Sequence, residues 1–241
     1  MSEVPPVELK DIWKRYGKQD VLAGINWTLY PGELVALMGI NGAGKTTLLR
    51  TIAALTGQEH GSVRIAGEEL KRDAVALRRE LYFLGDEPAL FPEMSAIQNI
   101  ATMMGLWKVS PDRESNAAEW MDRFGVLHLR YKPVATLSRG QRYKVALAAL
   151  AAIDPPIWLL DEPFASGMDA MGMKAFRQLV RQKVEQGRVV IYTTQMIEMV
   201  RDFAHRVTVI SGGVMMHDGP VNGLEEAARA GNPYLEVLLD D

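Results

Sequence analysis

The stretch GINGAGKTT, from Gly39 to Thr47, constrains this chain more than any other feature of its sequence. It follows the apolar run ELVALM, which is typical of a buried strand, and it precedes a segment with helical spacing. The stretch matches G-x-x-x-x-G-K-[ST] in the strand–loop–helix context that this pattern requires. Its glycines let backbone N–H groups point inward, and the following helix adds the positive end of its dipole. We therefore predict a phosphate-binding loop, since a simple glycine-rich turn needs neither the lysine nor the threonine.

Individual residues of this loop have distinct expected roles. Lys45 is expected to reach the β- and γ-phosphates of a nucleotide, which gives it a part in catalysis as well as in binding. Thr46 is expected to offer its hydroxyl group to Mg²⁺. The expected nucleotide contacts along the loop are Gly39, Asn41, Gly42, Ala43, Gly44, Lys45, Thr46 and Thr47.

A second site is predicted at IWLLDEP, an apolar strand that ends in two carboxylates, Asp161 and Glu162. In open α/β sheets the carboxyl ends of the strands form the edge where ligands bind. Asp161 is a candidate for holding Mg²⁺, usually through water, because Mg²⁺ keeps much of its hydration shell. Glu162 can then orient or deprotonate a water molecule directed at the γ-phosphate. An acidic turn after a strand is the alternative interpretation when this segment is taken alone.

The composition excludes several other classes of protein. The chain has no cysteine, so disulfide bonds and thiolate zinc sites are excluded. The formal net charge of −3 disfavours a nucleic-acid-binding role, and no nucleic acid partner is expected. The N-terminal residues lack the pattern of a signal peptide, and the longest apolar run, from Val145 to Ile153, is far shorter than the roughly 20 residues that cross a bilayer. A membrane-spanning part would have to come from another chain.

The order of the predicted elements indicates an α/β fold. Strands that alternate with helices favour a mainly parallel sheet covered on both faces, and the N-terminal strands favour an antiparallel lobe. We predict that residues 1–88 and 154–220 form this core, with a helical lobe inserted at 89–153. A hairpin is expected to turn at Gly212 and Gly213, and the tail, 221–241, is expected to begin with a short helix after Pro220.

Three motifs in a fixed order, GINGAGKTT, LSRGQ and WLLDEP, resemble the nucleotide-binding domain of ABC transporter ATPases. The resemblance covers essentially the whole chain, and LSRGQ is its most specific element. It implies a P-loop NTPase (RecA-like) core with an antiparallel β subdomain and an inserted α-helical subdomain, so that residues 1–241 form a single ABC ATPase domain. It also implies ATP and Mg²⁺ as ligands.

The same resemblance assigns further residues. Two domains would pair head to tail, so that Ser138, Gly140 and Gln141 of one subunit contact the ATP held by the other. An ordinary capped helix start is the alternative role for this segment, because Ser138 is a good N-cap. Tyr16 matches the aromatic residue that stacks on adenine, although a strand-surface aromatic is the alternative. Asp169, in the loop SGMD between the two active sites, could instead cap the next helix.

Two positions depart from the family pattern. Asp86 stands where a metal-contacting glutamine is usual, and Gln195 stands where a histidine usually touches the γ-phosphate. We expect Asp86 to face Mg²⁺, and we expect Gln195 to donate a hydrogen bond without carrying charge. The hypothesis is that hydrolysis survives, because Glu162 remains, but is slow.

The segments DEPALFPEMS and DEPFASGMD are similar to those of bacterial exporter (ABC-2-like) and haem-export-type subunits. The resemblance therefore implies the ATPase subunit of an exporter, acting as a homodimer with separate transmembrane permease subunits. Its expected place is cytoplasmic, peripheral on the inner face of the cell membrane. Phe91 and Met94 are expected to face the membrane partner, whereas Ile97 is expected to pack inside the helical lobe. The alternatives are a soluble non-transport ABC ATPase and an ATP clamp with very slow hydrolysis.

Overall fold

The computed structural model describes residues 4–110 and 114–224, so the predicted tail lies outside the described residues from position 225 onward. Within them the chain forms ten strands and seven α-helices. The strands are β1 (Val7–Tyr16), β2 (Gln19–Leu29), β3 (Leu34–Met38), β4 (His60–Ile65), β5 (Glu68–Glu69), β6 (Leu81–Leu84), β7 (Ile157–Leu160), β8 (Val189–Thr194), β9 (Arg206–Ser211) and β10 (Val214–Pro220). The helices are α1 (Lys45–Ile52), α2 (Val75–Arg78), α3 (Ala96–Leu106), α4 (Glu114–Arg123), α5 (Arg139–Ile153), α6 (Ala170–Glu185) and α7 (Ile197–Arg201).

The strands form two sheets. The four-stranded sheet has the order β2-β1-β4-β5, and all three of its neighbouring strand pairs are antiparallel. The six-stranded sheet has the order β10-β9-β3-β8-β7-β6, and β3 is parallel to both of its neighbours. Strand β3 is buried at every position, as expected for a central parallel strand covered on both faces. Apolar residues of both sheets and of α1 share one core cluster.

The described residues divide into two compact units. The first comprises residues 4–83, 156–161 and 184–224, and it contains most of both sheets. The second comprises residues 84–110, 114–155 and 162–183 and is mainly helical. The helical lobe predicted at 89–153 falls inside the second unit, which also takes in residues 162–183.

Helix α5 is the centre of the second unit. It contacts α3 and α4, and nearly all of its residues after the first turn are buried, many of them alanines. A helix that is apolar on all sides is expected to be a core helix. Both α3 and α5 begin with a capping box of the form S-x-x-Q, made by Ser95 with Gln98 and by Ser138 with Gln141. These boxes fix where each helix starts.

Some boundaries differ from the sequence expectation. The helical spacing after the phosphate loop continues to about Leu55, but α1 ends at Ile52, because Ala54 adopts a left-handed backbone with φ of 52°. The short helix α2 was not expected, since its four residues are too few to give a helical period. No helix within the described residues combines the length and apolar character needed to cross a bilayer.

The β9–β10 hairpin turns at Gly212 and Gly213, as predicted. The amide of Gly213 donates to the carbonyl of Ala43 at 3.2 Å, and its carbonyl accepts from the amide of Ala23 at 2.9 Å. A Cβ atom on Gly213 would lie 2.5 Å from the carbonyl oxygen of Val21, whereas one on Gly212 would meet nothing within 4 Å. The turn therefore joins the loop before α1 to strand β2, and only Gly213 is sterically required there.

Replacement of these two glycines separates strain from crowding. Both have positive φ, of 55° and 78°, so Gly212→Ala should cost about 1 kcal/mol through backbone strain alone. Gly213→Ala should cost about 1–3 kcal/mol more, because the new methyl group overlaps the backbone of Val21. Urea unfolding of the two variants measures the difference. Equal free energies of unfolding would show that the turn does not bear on β2 as described.

Candidate functional site

Three parallel strands end side by side at one edge of the six-stranded sheet. Met38, at the end of β3, pairs with Thr194 at the end of β8, and Leu160, at the end of β7, pairs with Tyr192. The loop of residues 39–47 follows β3 at this edge, and Asp161 directly follows β7 there. Because ligands of open α/β sheets bind outside the carboxyl ends of the strands, this edge is the candidate site.

The loop connects β3 to α1, the arrangement that the sequence predicted. Gly42 and Gly44 have φ of 81° and 108°, values that side chains rarely tolerate. A Cβ atom on Gly39 would lie 2.3 Å from the carbonyl oxygen of Ile210, and one on Gly44 would lie 2.7 Å from that of Val21. Packing against β9 and β2 therefore demands glycine at two positions of the loop, apart from any ligand.

Lys45, the first residue of α1, turns its side chain back into the loop. Its side chain is buried, and its ammonium group donates to the carbonyl of Gly39 at 2.7 Å and to that of Ile40 at 3.3 Å. Gly44 precedes α1 without a side-chain cap, so the positive end of the helix dipole faces the loop. Of the other loop positions, Asn41 and Gly42 are exposed, and Ala43 is buried. A cation and the positive end of a helix dipole thus meet at this loop.

Asp161 joins three elements of the first unit. The residue is only 3% exposed, and its Oδ1 accepts hydrogen bonds from the hydroxyl of Thr46 at 3.0 Å and from that of Thr193 at 2.7 Å. The sequence analysis named Asp161 and Thr46 but missed Thr193. A signal was present, since two threonines interrupt the apolar run of β8 at its carboxyl end. Carboxylate and hydroxyl oxygens are ligands that suit a hard cation such as Mg²⁺.

Glu162 follows Asp161 with an unusual backbone. Its φ and ψ are 46° and 50°, in the left-handed region that residues other than glycine seldom occupy. Its carbonyl accepts from the amide of Ala165 at 3.0 Å, which closes a tight turn. Strain of this kind costs about 1–3 kcal/mol and tends to occur at functional sites. The backbone is consistent with a special role for Glu162, and that role stays a prediction.

Tyr16 and Gln195 lie at strand ends of the first unit. The Tyr16 side chain is 51% exposed, with the ammonium of Lys14 5.2 Å from its ring centroid and its hydroxyl 3.4 Å from that of Thr56. Gln195 is exposed and follows β8 directly. An exposed ring can stack on a base, and an exposed amide can donate a hydrogen bond. Both roles remain predictions.

The start of α5 has a structural role of its own. The Ser138 hydroxyl accepts from the amide of Gln141 at 3.3 Å, and the Ser138 amide donates to the Gln141 side-chain oxygen at 2.9 Å. A Cβ atom on Gly140 would lie 2.2 Å from the carbonyl oxygen of Gly167. Capping and close packing therefore explain these residue types within one subunit. Contact with a nucleotide on another subunit is an additional, untested role.

Lys144 is a residue that the sequence analysis missed. It is buried in α5, and its ammonium lies 2.8 Å from both carboxylate oxygens of Asp169. Asp169 also accepts from the amide of Gly172 at 2.8 Å, so it caps α6, the alternative role foreseen for it. The hydrogen bond from Lys144, followed by that from Gly172, lowers the pKa of the Asp169 carboxyl group. The only sequence signal was a lysine directly before the apolar run from Val145 to Ile153.

Asp86 contacts a basic residue of the second unit. Its carboxylate lies 3.8 Å from the guanidinium of Arg139, and both side chains are about half exposed. This opposite charge gives a reason for an acid at position 86 that does not involve a metal. Within the described residues, no group of three or more His, Cys, Asp or Glu side chains could hold a metal ion by itself. The metal role predicted for Asp86 stays a prediction.

Comparison with known proteins agrees with this geometry. The sequence pattern of the family described as ABC transporter matches residues 22–165. The doxorubicin resistance ATP-binding protein of Mycobacterium tuberculosis is 30% identical over 238 residues, which cover 98% of this chain and 71% of that protein. The sulfate/thiosulfate import ATP-binding protein of Escherichia coli strain K12 is 38% identical over 224 residues, covering 89% of this chain and 60% of that protein.

A solved structure supports the fold. The ATP binding subunit of an ABC transporter superposes with a TM-score of 0.89 at 22% identity, covering 97% of each chain. The predicted α/β P-loop NTPase fold is thereby confirmed. The family pattern spans more than half of the sequence, and a relative at 30% identity covers nearly all of it. The chain therefore belongs to the ABC transporter family, as one of its ATP-binding proteins.

Proposed function

We propose that this chain binds ATP and Mg²⁺ at the edge of its six-stranded sheet and hydrolyses ATP to ADP and phosphate to power transport. The observation that carries this proposal is the contact of Asp161 with Thr46 and Thr193. It brings three oxygen-bearing side chains, whose chemistry suits a cation, against the start of α1, where the predicted phosphate loop ends. A loop that served only as a turn would not need a buried carboxylate beside it.

Binding of the phosphates falls to the loop and Lys45. The ammonium now donates to the carbonyls of Gly39 and Ile40, which are neutral acceptors. Phosphate oxygens compete well for these donors, because hydrogen bonds between charged groups are about twice as strong as neutral ones. The loop amides and the α1 dipole add to the attraction. Tyr16 stacks on adenine at the other end of the nucleotide.

Asp161 and Thr46 are the residues that would hold Mg²⁺. Their oxygens fit its preference, and water and phosphate oxygens can fill the positions that a small octahedral ion leaves open. When bound, Mg²⁺ supplies positive charge against the negative charge that develops on the transferred phosphoryl group. Thr193 orients the Asp161 carboxylate by donating to it. Asp86 remains the candidate for an additional contact.

Hydrolysis requires a correctly placed water molecule. Glu162 accepts its proton or orients it, as carboxylates do in general base catalysis. Gln195 donates its amide N–H to the γ-phosphate, and because the amide is neutral the stabilisation is weaker than that from a charged donor. Slow turnover is therefore expected, with Glu162 preserving the reaction itself.

Two copies of the chain assemble head to tail around two ATP molecules. In this arrangement the start of α5, with Ser138, Gly140 and Gln141, closes over the nucleotide of the other subunit. A helix N-terminus is suited to an anion, because its dipole and its amides both favour negative charge. Closure and reopening of this homodimer transmit the energy of ATP to the transport step.

Separate transmembrane permease subunits complete the transporter. Phe91 and Met94 are exposed on the turn before α3, at 46% and 36%. Buried Asn99 fixes this turn by accepting from the Phe91 amide at 2.7 Å and donating to its carbonyl at 3.1 Å. A rigid turn that presents apolar side chains is suited to a protein partner. The chain would thus lie on the cytoplasmic, inner face of the membrane.

Export is the proposed direction of transport. The names of the relatives include both drug resistance and sulfate import. The segments DEPALFPEMS and DEPFASGMD favour an exporter, and the drug-resistance relative matches nearly the whole chain. The permease subunits would determine which substance is transported.

Thr193→Val should impair the metal-dependent step. The change keeps the shape of the side chain but removes a donor to a buried carboxylate, a loss of about 1.5–3 kcal/mol. ATPase activity should fall about tenfold, with a higher Mg²⁺ concentration needed for half-maximal rate. Thr208→Val is the matched control, because Thr208 is equally buried and donates to Asp218 at 2.8 Å in β9. An unchanged Mg²⁺ dependence in Thr193→Val would contradict the assigned role.

Glu162→Gln should trap the ATP-bound homodimer. Binding is preserved while hydrolysis stops, so light scattering with Mg-ATP should show twice the mass of the 26.8 kDa chain. Lys45→Met in the same background is the control, and it should stay monomeric because it loses the phosphate contacts. A chain that binds ATP but remains monomeric would contradict the homodimer, and a chain that binds no ATP would contradict the whole proposal.

Gln195→His should raise turnover. A histidine can carry charge, so kcat should rise by about five- to tenfold, which corresponds to about 1–1.4 kcal/mol of the barrier. The gain should be larger at pH 6 than at pH 8, because an unperturbed histidine has a pKa of about 6.5. Gln195→Met, which lacks a donor, should lower kcat. If the histidine variant turns over at the original rate, Gln195 is not what limits hydrolysis.

A further inference from the structure

One face of α5 lies against the loop of residues 166–169. Gly140 and Lys144 are four positions apart, so they share a helix face. Gly140 meets the loop through its backbone, since a Cβ atom there would lie 2.2 Å from the carbonyl oxygen of Gly167 and 3.2 Å from the amide nitrogen of Met168. Lys144, one turn further on, meets Asp169 at the end of the loop. Two successive turns of the helix thus fix the two halves of the loop.

Lys144 is enclosed by its surroundings, whereas the Asp169 side chain that it meets is 62% exposed. Lys144 is 4% exposed, and a buried ammonium group is costly unless it is paired and hydrogen-bonded. Both oxygens of Asp169 accept from it at 2.8 Å, and the amide of Gly172 donates to Oδ1 at the same distance. A Cβ atom on Gly172 would lie 2.4 Å from Cε of Lys144. Helix α6 therefore lacks a side chain where the lysine passes.

We propose that Lys144 is a positioning residue that fixes the loop of residues 166–169 to the start of α5. The LSRGQ segment, which contains Ser138, and the loop then meet the nucleotide of the other subunit as one rigid element. This inference rests on the head-to-tail homodimer of the proposed function. It assigns Lys144 to assembly of the composite site, without contact between Lys144 and ATP.

A second ion pair joins the same two helices at their far ends. Lys183 of α6 is 5% exposed, and its ammonium lies 3.0 Å from the carboxylate of Asp154, which directly follows α5. Both lysines are buried and paired with an aspartate, although the Asp154 side chain is 10% exposed and that of Asp169 is 62% exposed. Lys144 and Asp154 are ten positions apart, so the two pairs lie roughly 15 Å apart along the axis of α5. Loss of Lys183 should weaken the fold without disturbing the start of α5.

The test compares lysine variants in the Glu162→Gln background. Light scattering gives the dimerisation constant with Mg-ATP, a fluorescent ATP analogue gives nucleotide affinity at dilute monomer, and urea gives the unfolding midpoint. Lys144→Met should weaken dimerisation by at least about tenfold while nucleotide affinity changes by less than about twofold. Lys144→Arg should recover most of the dimerisation, because it restores the charge. Lys183→Met should lower the unfolding midpoint and leave dimerisation within about twofold.

Several results would overturn the inference. The first is that Lys144→Met dimerises as well as the Glu162→Gln protein. The second is that Lys183→Met weakens dimerisation as much as Lys144→Met does, because the effect would then reflect general destabilisation. If Lys144→Met does not fold, Asp169→Asn takes its place, since its amide oxygen can still cap α6 while the charge is lost. Normal dimerisation of Asp169→Asn also contradicts the proposal. If the Glu162→Gln protein binds ATP but stays monomeric, both the homodimer and this inference are wrong. The measurement on Glu162→Gln alone, without a lysine change, distinguishes this outcome from the others.

Discussion

A single carboxylate oxygen, Oδ1 of Asp161, connects three elements at the candidate site of the first unit. It accepts one hydroxyl from the start of α1 and another from the end of β8. Three elements that are far apart in the sequence therefore meet at one buried acceptor. Because a buried carboxylate must be hydrogen-bonded, the two threonines are as necessary to the arrangement as the acid itself. The position of α1, and with it the phosphate loop, follows from this contact.

The loop is also supported from behind. Gly39 packs against β9, Gly44 packs against β2, and the Gly213 turn bonds to Ala43. Each contact is between backbones, so it fixes the path of the chain without depending on side-chain rotamers. The glycines thus serve two purposes, since they admit the unusual backbone angles and also allow close packing. These contacts fix the loop through the protein's own backbone, and a preorganised loop has a lower ordering cost when it binds an anion.

Local patterns carried most of what the sequence could predict. The α/β order, the phosphate loop, the two acids after β7 and the Gly212–Gly213 turn each depend on residues close together in the chain. Thr193 and Lys144 were missed because their importance comes from partners 32 and 25 positions away, and no local period reports such a contact. The end of α1 depended on one left-handed alanine, and α2 was too short to leave a pattern.

The capping box at α5 has a consequence for charge selectivity. The Ser138 amide needs an acceptor, so the oxygen of the Gln141 side chain turns toward it. That choice leaves the NH₂ end of the same side chain pointing away from the box. The capping box that starts the helix therefore also determines which polar groups this end of α5 exposes. An ion that approaches this end of α5 meets hydrogen-bond donors, which attract an anion and repel a cation.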